Sequence, residues 1–178
     1  MVEPDNELRL HIRNVPDFPK KGIVFRDITP LLKNPDAFRK AMETFYTKYK
    51  EIQIDKVLSV ESRGFIFGSV LAYRLGVGFI PIRKPKKLPA EVIREEYQLE
   101  YGTDALEIHT DAIQPGDRIL VVDDLLATGG TALATCKLAE RLGGTIAGIA
   151  FLVELTFLNG RKKLEKYDIF SILKYDVE

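Results

Sequence analysis

Residues 119–131 read ILVVDDLLATGGT. Four apolar residues run into two adjacent carboxylates, Asp123 and Asp124. The string then opens into Ala127, Thr128, Gly129, Gly130 and Thr131. Each part has its own chemistry. Backbone amides at a helix start bind anions, because they lack intrahelical partners and the helix dipole adds partial positive charge. Glycines let that backbone close on a phosphate, and threonine hydroxyls add donors. Carboxylates accept hydrogen bonds from vicinal sugar hydroxyls and can hold magnesium, directly or through water. They also stabilise a cation-like sugar carbon. A phosphorylated sugar satisfies all three parts. The string is not a Walker A loop, because no lysine follows the glycines in register, and it is not GxGxxG. The plain alternative is a tight turn beside two loop acids. The coincidence of strand end, acids, glycines and helix start argues against it.

Two further groups carry charge that could meet an anion. Glu61, Ser62 and Arg63 follow the apolar run DKVLSV, and Arg63 has the fork geometry for phosphate oxygens. The alternative there is a polar helix start with Ser62 as N-cap. Arg83, Lys84, Lys86 and Lys87 form the densest basic cluster, which a solvated loop would also explain. His11 and His109 show no metal-ligand spacing, and the single cysteine, Cys136, builds no intrachain disulfide. It reads as a small core residue rather than a nucleophile.

These groups need a scaffold that brings strand ends together. DKVLSV (55–60), GFIPI (78–82), RILVVDD (118–124), TIAGIAFLVE (145–154) and YDIFSIL (167–173) read as strands. Residues 64–76 and 131–144 show helical periodicity, the first stopping at Gly76 as a C-cap. Strands alternating with crossover helices predict an α/β fold, a mainly parallel sheet flanked by helices. Ligands in such sheets bind beyond the carboxyl ends of the strands. The N-terminus holds a helix-like NELRLHIRNV, the turn-rich PDFPKKG, and then IVFRDITPLL. Segment 84–110 has two period-2 stretches, one with Tyr97, Leu99 and Tyr101, the other with Leu106, Ile108 and Thr110, around the turn GTD. It predicts a β-hairpin standing off the sheet. An excursion of that length is a functional lid or a disordered loop.

The 178 residues are enough for one domain, 1–178. The chain is 46% apolar and carries 26 basic and 26 acidic residues, net charge zero. That excludes the global basic field typical of nucleic-acid binding. No apolar run reaches the length of a membrane span. MVEPDNELRL is acidic and polar, unlike a signal peptide. A cytoplasmic setting is expected, with no membrane or nucleic-acid partner.

VVDDLLATGGTA (121–132) closely resembles the phosphoribosyl pyrophosphate motif of type I phosphoribosyltransferases. Among them, DDLLATGGT is most similar to the adenine phosphoribosyltransferases. The resemblance extends through FPKKGIVFRDITPLL (18–32), ESRGFIFG (61–68), IRKPKKLP (82–89), LEYGTDALEIHTDAI (99–113) and LVELTFLNGR (152–161), in family order and spacing.

The resemblance implies the type I phosphoribosyltransferase fold, with a small base-binding hood (1–34) and a flexible β-hairpin loop (84–110). It implies that adenine and phosphoribosyl pyrophosphate become AMP and pyrophosphate, with magnesium held mainly by substrate and water and by no direct protein ligand. The 5′-phosphate would lie on Ala127, Thr128, Gly129, Gly130 and Thr131, and the ribose hydroxyls on Asp123 and Asp124. Glu61, Ser62, Arg63, Arg83, Lys84 and Lys87 would serve pyrophosphate, with a cis peptide at Glu61–Ser62. Glu61 stands where many relatives have Asp, which leaves its direct contact open. Adenine would meet Phe25 by stacking, Val24 and Arg26 through backbone groups, and Leu155. Phe25 and Val24 could equally be buried core residues of a strand. Glu100 would transfer a proton at adenine N7, with Tyr101 beside it. On residue type alone, Glu100 is one acid among many in REEYQLEYG. A homodimer is expected from the family. The rival readings are a phosphoribosyltransferase for hypoxanthine, guanine or xanthine, and an inactive regulator that senses phosphoribosyl pyrophosphate.

Overall fold

The computed structural model describes residues 4–98 and 102–177. In chain order the elements are helix α1 (Pro4–Arg9), strands β1 (Arg13–Val15) and β2 (Phe25–Asp27), helices α2 (Thr29–Lys33) and α3 (Pro35–Tyr49), and strand β3 (Lys56–Val60). Helix α4 (Arg63–Leu75) and strands β4 (Gly78–Ile82), β5 (Val92–Gln98), β6 (Thr103–His109) and β7 (Arg118–Leu126) follow. Helix α5 (Gly130–Arg141) and strands β8 (Thr145–Leu155) and β9 (Ile169–Tyr175) complete the chain.

Five strands form a parallel sheet in the order β4-β3-β7-β8-β9. Strand side chains alternate between faces, so both faces of this apolar sheet need cover. Leu120 and Val122 of β7 join the core under α3 and α4, with Phe45, Tyr49, Phe67 and Leu71. Ile119 and Val121 face the other way, toward Cys136, Leu138 and Ala139 of α5. Helix α3 starts where Asn34 caps it, its Oδ1 accepting from the amides of Asp36 and Ala37 at 3.0 Å. Helix α4 ends on Gly76, in the left-handed region at φ 71°. The expected α/β architecture and all five sheet strands are present. No helix among the described residues is long and apolar enough to cross a membrane.

Two segments differ from expectation. The helix-like NELRLHIRNV ends at Arg9, and Arg13–Val15 is instead a strand paired antiparallel with Phe25–Asp27. Cross-strand side chains explain this. Arg13 Nε donates to Asp27 Oδ2 at 2.9 Å, and Asn14 Oδ1 accepts from Arg26 Nη1 at 2.5 Å. The second difference is the hairpin of β5 and β6, which is a separate sheet but does not stand off the body. Leu106 and Ile108 are fully buried in the core on the α5 side. Glu107, on the opposite face, is 7% exposed and accepts from the Lys86 amide at 2.9 Å. Arg83 and Glu107 also exchange backbone hydrogen bonds at 3.1 and 2.7 Å. With both faces of β6 covered, period-2 alternation understates its burial.

Candidate active site

The carboxyl ends of β3 and β7, the start of α5 and the β5–β6 hairpin enclose a cavity of about 370 Å³. Its walls include Glu61, Ser62, Arg63, Lys84, Asp123, Asp124 and the whole run Ala127–Thr131. β7 continues two residues beyond the expected Asp124, to Leu126, so both acids lie on the strand itself. Gly129 stands at φ 78° immediately before α5, and no side chain caps the helix. The amides of that first turn therefore face the cavity without a competing protein acceptor from a cap. Thr128 and Thr131 line the same wall.

Asp123 and Asp124 are crowded. Asp124 is 5% exposed. Asp123 Oδ1 accepts from the Asp124 amide at 2.9 Å. A Cβ on Gly64 would come within 2.6 Å of that same oxygen, so only glycine allows α4 this close to the acids. Burial, and then the neighbouring charge of Asp124, push the Asp123 carboxyl well above the usual carboxylate range. Burial also raises Asp124, against the pull of Arg63, whose Nη2 lies 2.8 Å from Asp124 Oδ2.

Of the cations nominated for pyrophosphate, Arg63, Arg83 and Lys84 are paired with protein carboxylates. Arg83 donates from Nε and Nη2 to Glu61 Oε2, at 3.1 and 2.8 Å, and from Nη1 to the Lys87 carbonyl. Glu61 Oε1 accepts from the Lys84 amide at 2.6 Å. Burial would raise Glu61, but the Lys84 amide and the Arg83 fork outweigh it and hold this carboxyl below its ordinary value. The Lys84 ammonium is paired with Asp104 of β6, whose Oδ2 also accepts from the Tyr97 hydroxyl at 3.3 Å. Arg63 and Lys84 line the cavity, whereas Arg83 and Lys87 do not. The Glu61–Ser62 peptide bond is cis. Ser62 does stand at the N-cap position of α4, as the helix-start alternative expects, but its side chain makes no cap bond.

A larger and more apolar cavity, about 660 Å³, adjoins the first and shares Leu125, Ala127 and Thr128 with it. Val24, Phe25, Arg26 and Leu155 all line it, so the first two are not simply core residues. Phe25 meets Phe18 edge to face, with ring centroids 5.2 Å apart, and carries the Arg63 guanidinium 5.0 Å from its ring centre. The Arg26 side chain turns away from the cavity. It lies over the Tyr175 ring and bonds Asn14 and the Val177 carbonyl. Glu100 and Tyr101 lie outside the described residues, as does Leu99.

Several contributors escaped the sequence reading. Tyr97 and Asp104 meet Lys84 only because β5 and β6 pair at that register. Gly160 packs against the Ala127–Gly129 backbone, and LNGR was the one available signal for it. Among the described residues, no group of three or more His, Cys, Asp or Glu could hold a metal ion. Two acids whose charging is opposed by burial do fit a cation that brings most of its own ligands.

The phosphoribosyl transferase domain family matches residues 27–177. An adenine phosphoribosyltransferase of Thermoanaerobacter sp. (strain X514) is 57% identical over 95% of this chain and 98% of its own. The crystal structure of adenine phosphoribosyltransferase from Thermoanaerobacter pseudethanolicus superposes with a TM-score of 0.93 at 57% identity, covering 96% of this chain and 99% of that one. The Saccharomyces cerevisiae enzyme, solved with an imino-altritol bisphosphate and adenine, matches at TM-score 0.91 and 41% identity over 97% of this chain and 100% of its own. The chain belongs to the phosphoribosyl transferase domain family and, within it, to the adenine phosphoribosyltransferases.

Proposed function

We propose that the chain joins adenine to phosphoribosyl pyrophosphate, giving AMP and pyrophosphate in purine salvage. The observation that carries this reading is the sharing of Leu125, Ala127 and Thr128 by an acid-lined polar cavity and an apolar one. A sugar phosphate and a flat base placed in the two would meet at that seam.

The 5′-phosphate rests on Ala127, Thr128, Gly129, Gly130 and Thr131, and the ribose hydroxyls face Asp123 and Asp124. Pyrophosphate is met by Ser62, Arg63 and Lys84. Glu61 orders the basic segment by holding Arg83 and the Lys84 amide. Arg83 and Lys87 add charge. Adenine lies between Phe25 and Leu155, its edge read by the main chain of Val24 and Arg26. Adenine N9 bonds to the anomeric carbon as the carbon–oxygen bond to pyrophosphate breaks, and pyrophosphate leaves with the electron pair. The two acids stabilise the positive charge that develops on the sugar. Glu100, as carboxylate, takes the proton that adenine N7 gives up as N9 bonds, and the 84–110 hairpin, with Tyr101, excludes water. Magnesium, held mainly by the donor and water, neutralises leaving-group charge when bound.

The protein works in the cytoplasm as a homodimer, without nucleic acid or membrane. Ile66 and Tyr73, at 36% and 84% exposure on α4, support an apolar contact there. The test is pyrophosphate release with magnesium, phosphoribosyl pyrophosphate and a panel of purines. Adenine is the expected substrate. Turnover of hypoxanthine, guanine or xanthine in its place would overturn the base assignment, and no turnover of any base would overturn the enzyme reading.

A further inference from the structure

The LVELTFLNGR string contributes more than Leu155. Where β8 ends, two short 3-10 turns, Thr156–Leu158 and Gly160–Leu164, meet at Asn159, which is left-handed at φ 54°. Leu155, Phe157 and Leu158 line the apolar cavity. Gly160 then passes directly behind the phosphate loop. A Cβ on Gly160 would lie 2.2 Å from the Ala127 carbonyl oxygen and 3.1 Å from the Gly129 nitrogen. A Cβ on Gly129 would lie 2.5 Å from the Gly160 carbonyl oxygen. The two backbones touch with no room for a side chain on either. Gly160 is not in the left-handed region, so close approach rather than torsion demands glycine there.

An ion pair between buried Glu154 and half-exposed Arg161 fixes this loop. Arg161 donates from Nε to Glu154 Oε1 at 2.6 Å and from Nη2 to Glu154 Oε2 at 2.8 Å, and from Nη1 to the Ile169 carbonyl at 3.3 Å. Glu154, on β8, is 2% exposed. Burial works to raise its carboxyl, but the Arg161 and Ser171 hydrogen bonds, with the charges of Arg161 and Lys174, together hold it below the ordinary value. A two-point fork of this kind fixes direction as well as distance. Neither side chain lines the polar or the apolar cavity.

We propose that Gly160, held in place by the Glu154–Arg161 pair, is a positioning residue for recognition of the ligand's 5′-phosphate. It is the surface against which Ala127–Gly129 takes its shape. This rests on the reading of residues 127–131 as the phosphate cradle, and the test separates the two claims. Dissociation constants for AMP and adenosine are measured by calorimetry on the full chain, with circular dichroism as a check on folding. The unsubstituted protein binds AMP more tightly than adenosine, and equal binding would overturn the cradle itself. In Gly160→Ala the AMP-over-adenosine ratio falls by about tenfold, because small misplacements of a binding loop are costly. Adenosine affinity stays within about twofold, since its base lies in the apolar cavity and its ribose hydroxyls face Asp123 and Asp124, outside the Ala127–Gly129 backbone that Gly160 touches. A ratio unchanged from the parent would overturn the proposal. Arg161→Lys keeps the glycine and the charge but loses the fork. It lowers the ratio by roughly threefold, the smaller effect expected when the loop is loosened rather than displaced. Should Gly160→Ala fail to fold, an unchanged ratio in Arg161→Lys would overturn the proposal. A merely structural role would lower Tm and leave the ratio where it was.

Discussion

The two walls of the polar cavity proposed to meet anions are built on opposite plans. The wall from Ala127 to Thr131 offers backbone, two hydroxyls and a helix start, with no charged side chain in the run. The wall from Glu61 to Lys87 offers cations, and carboxylates hold Arg63, Arg83 and Lys84. The first is shaped by close backbone contact and has nothing to exchange when an anion arrives. The second keeps its charges ordered by pairing them, so an anion must compete with a protein carboxylate. Fixed dipoles suit the group that stays with the product. Exchangeable pairs suit the group that must leave.

Asp123 and Asp124 line the polar cavity between the two walls, and the largest effect is expected there. Asp123→Asn keeps the oxygen that accepts from the Asp124 amide but removes one of two crowded charges. Turnover falls by about 10²- to 10³-fold if that charge stabilises the reacting sugar. Stability moves the other way. The folded Asp123 carboxyl titrates above its unfolded value near 3.9, so the folded state holds more protons in that window. Wild-type stability therefore falls as pH rises through the window, and the loss is complete above the folded value. The substitution should raise Tm by about 2–4 °C near neutral pH, and by much less at pH 4. Melting curves at both pH values, recorded with a chelator, check this. An equal gain at both would exclude charge crowding as its cause.

Gly129→Ala strikes the backbone wall. The new Cβ would lie 2.5 Å from the Gly160 carbonyl oxygen at a residue already at φ 78°. kcat/KM should fall by about 10²-fold, through KM for the sugar donor more than for adenine. Glu61→Gln strikes the charged wall. The amide can still accept from the Lys84 N–H but loses the Arg83 fork. KM for phosphoribosyl pyrophosphate should rise roughly tenfold, the scale of one charge-assisted contact. If Gly129→Ala proved the milder of the two, the contrast between a rigid wall and an exchangeable one would fail.

The same contrast marks what the sequence could disclose. The parallel sheet was legible because its strands are short apolar runs between helices, and the backbone wall because acids, glycines and helix start are contiguous from Asp123 to Thr131. The strand at Arg13–Val15 was not, because its partner lies beyond the turn-rich PDFPKKG and cross-strand pairs leave no local period. Nor was the Lys84–Asp104 pair. Those residues are 20 apart, joined only by a hairpin register that pairs Tyr97 with Asp104. Gly160 stood in a recognised string, yet its reason is contact with a loop some thirty positions earlier. The resemblance supplied names for adenine-facing residues. The guanidinium of Arg26 is committed to Asn14, Val177 and Tyr175, which supports the proposed contact through its main chain.

The smallest expected effect has the opposite sign to that of Glu61. Asp104 neutralises Lys84 without ordering the basic segment, whose backbone is held instead by Glu61 and Glu107. Asp104→Asn keeps a polar partner for the Tyr97 hydroxyl but removes the charge. Lys84 then meets pyrophosphate without a competing carboxylate, and KM for the donor should fall by about threefold, the order of a part-exposed ion pair. The gain should shrink as salt is added, because a freed surface cation is screened. It should vanish in a Lys84→Met background, since the two residues act through one contact. A fall in KM that survives Lys84→Met would place Asp104 in hairpin folding rather than in competition for the lysine. A rise in KM would mean that the carboxylate aims Lys84 at the anion, and the charged wall would then be as rigid as the backbone one.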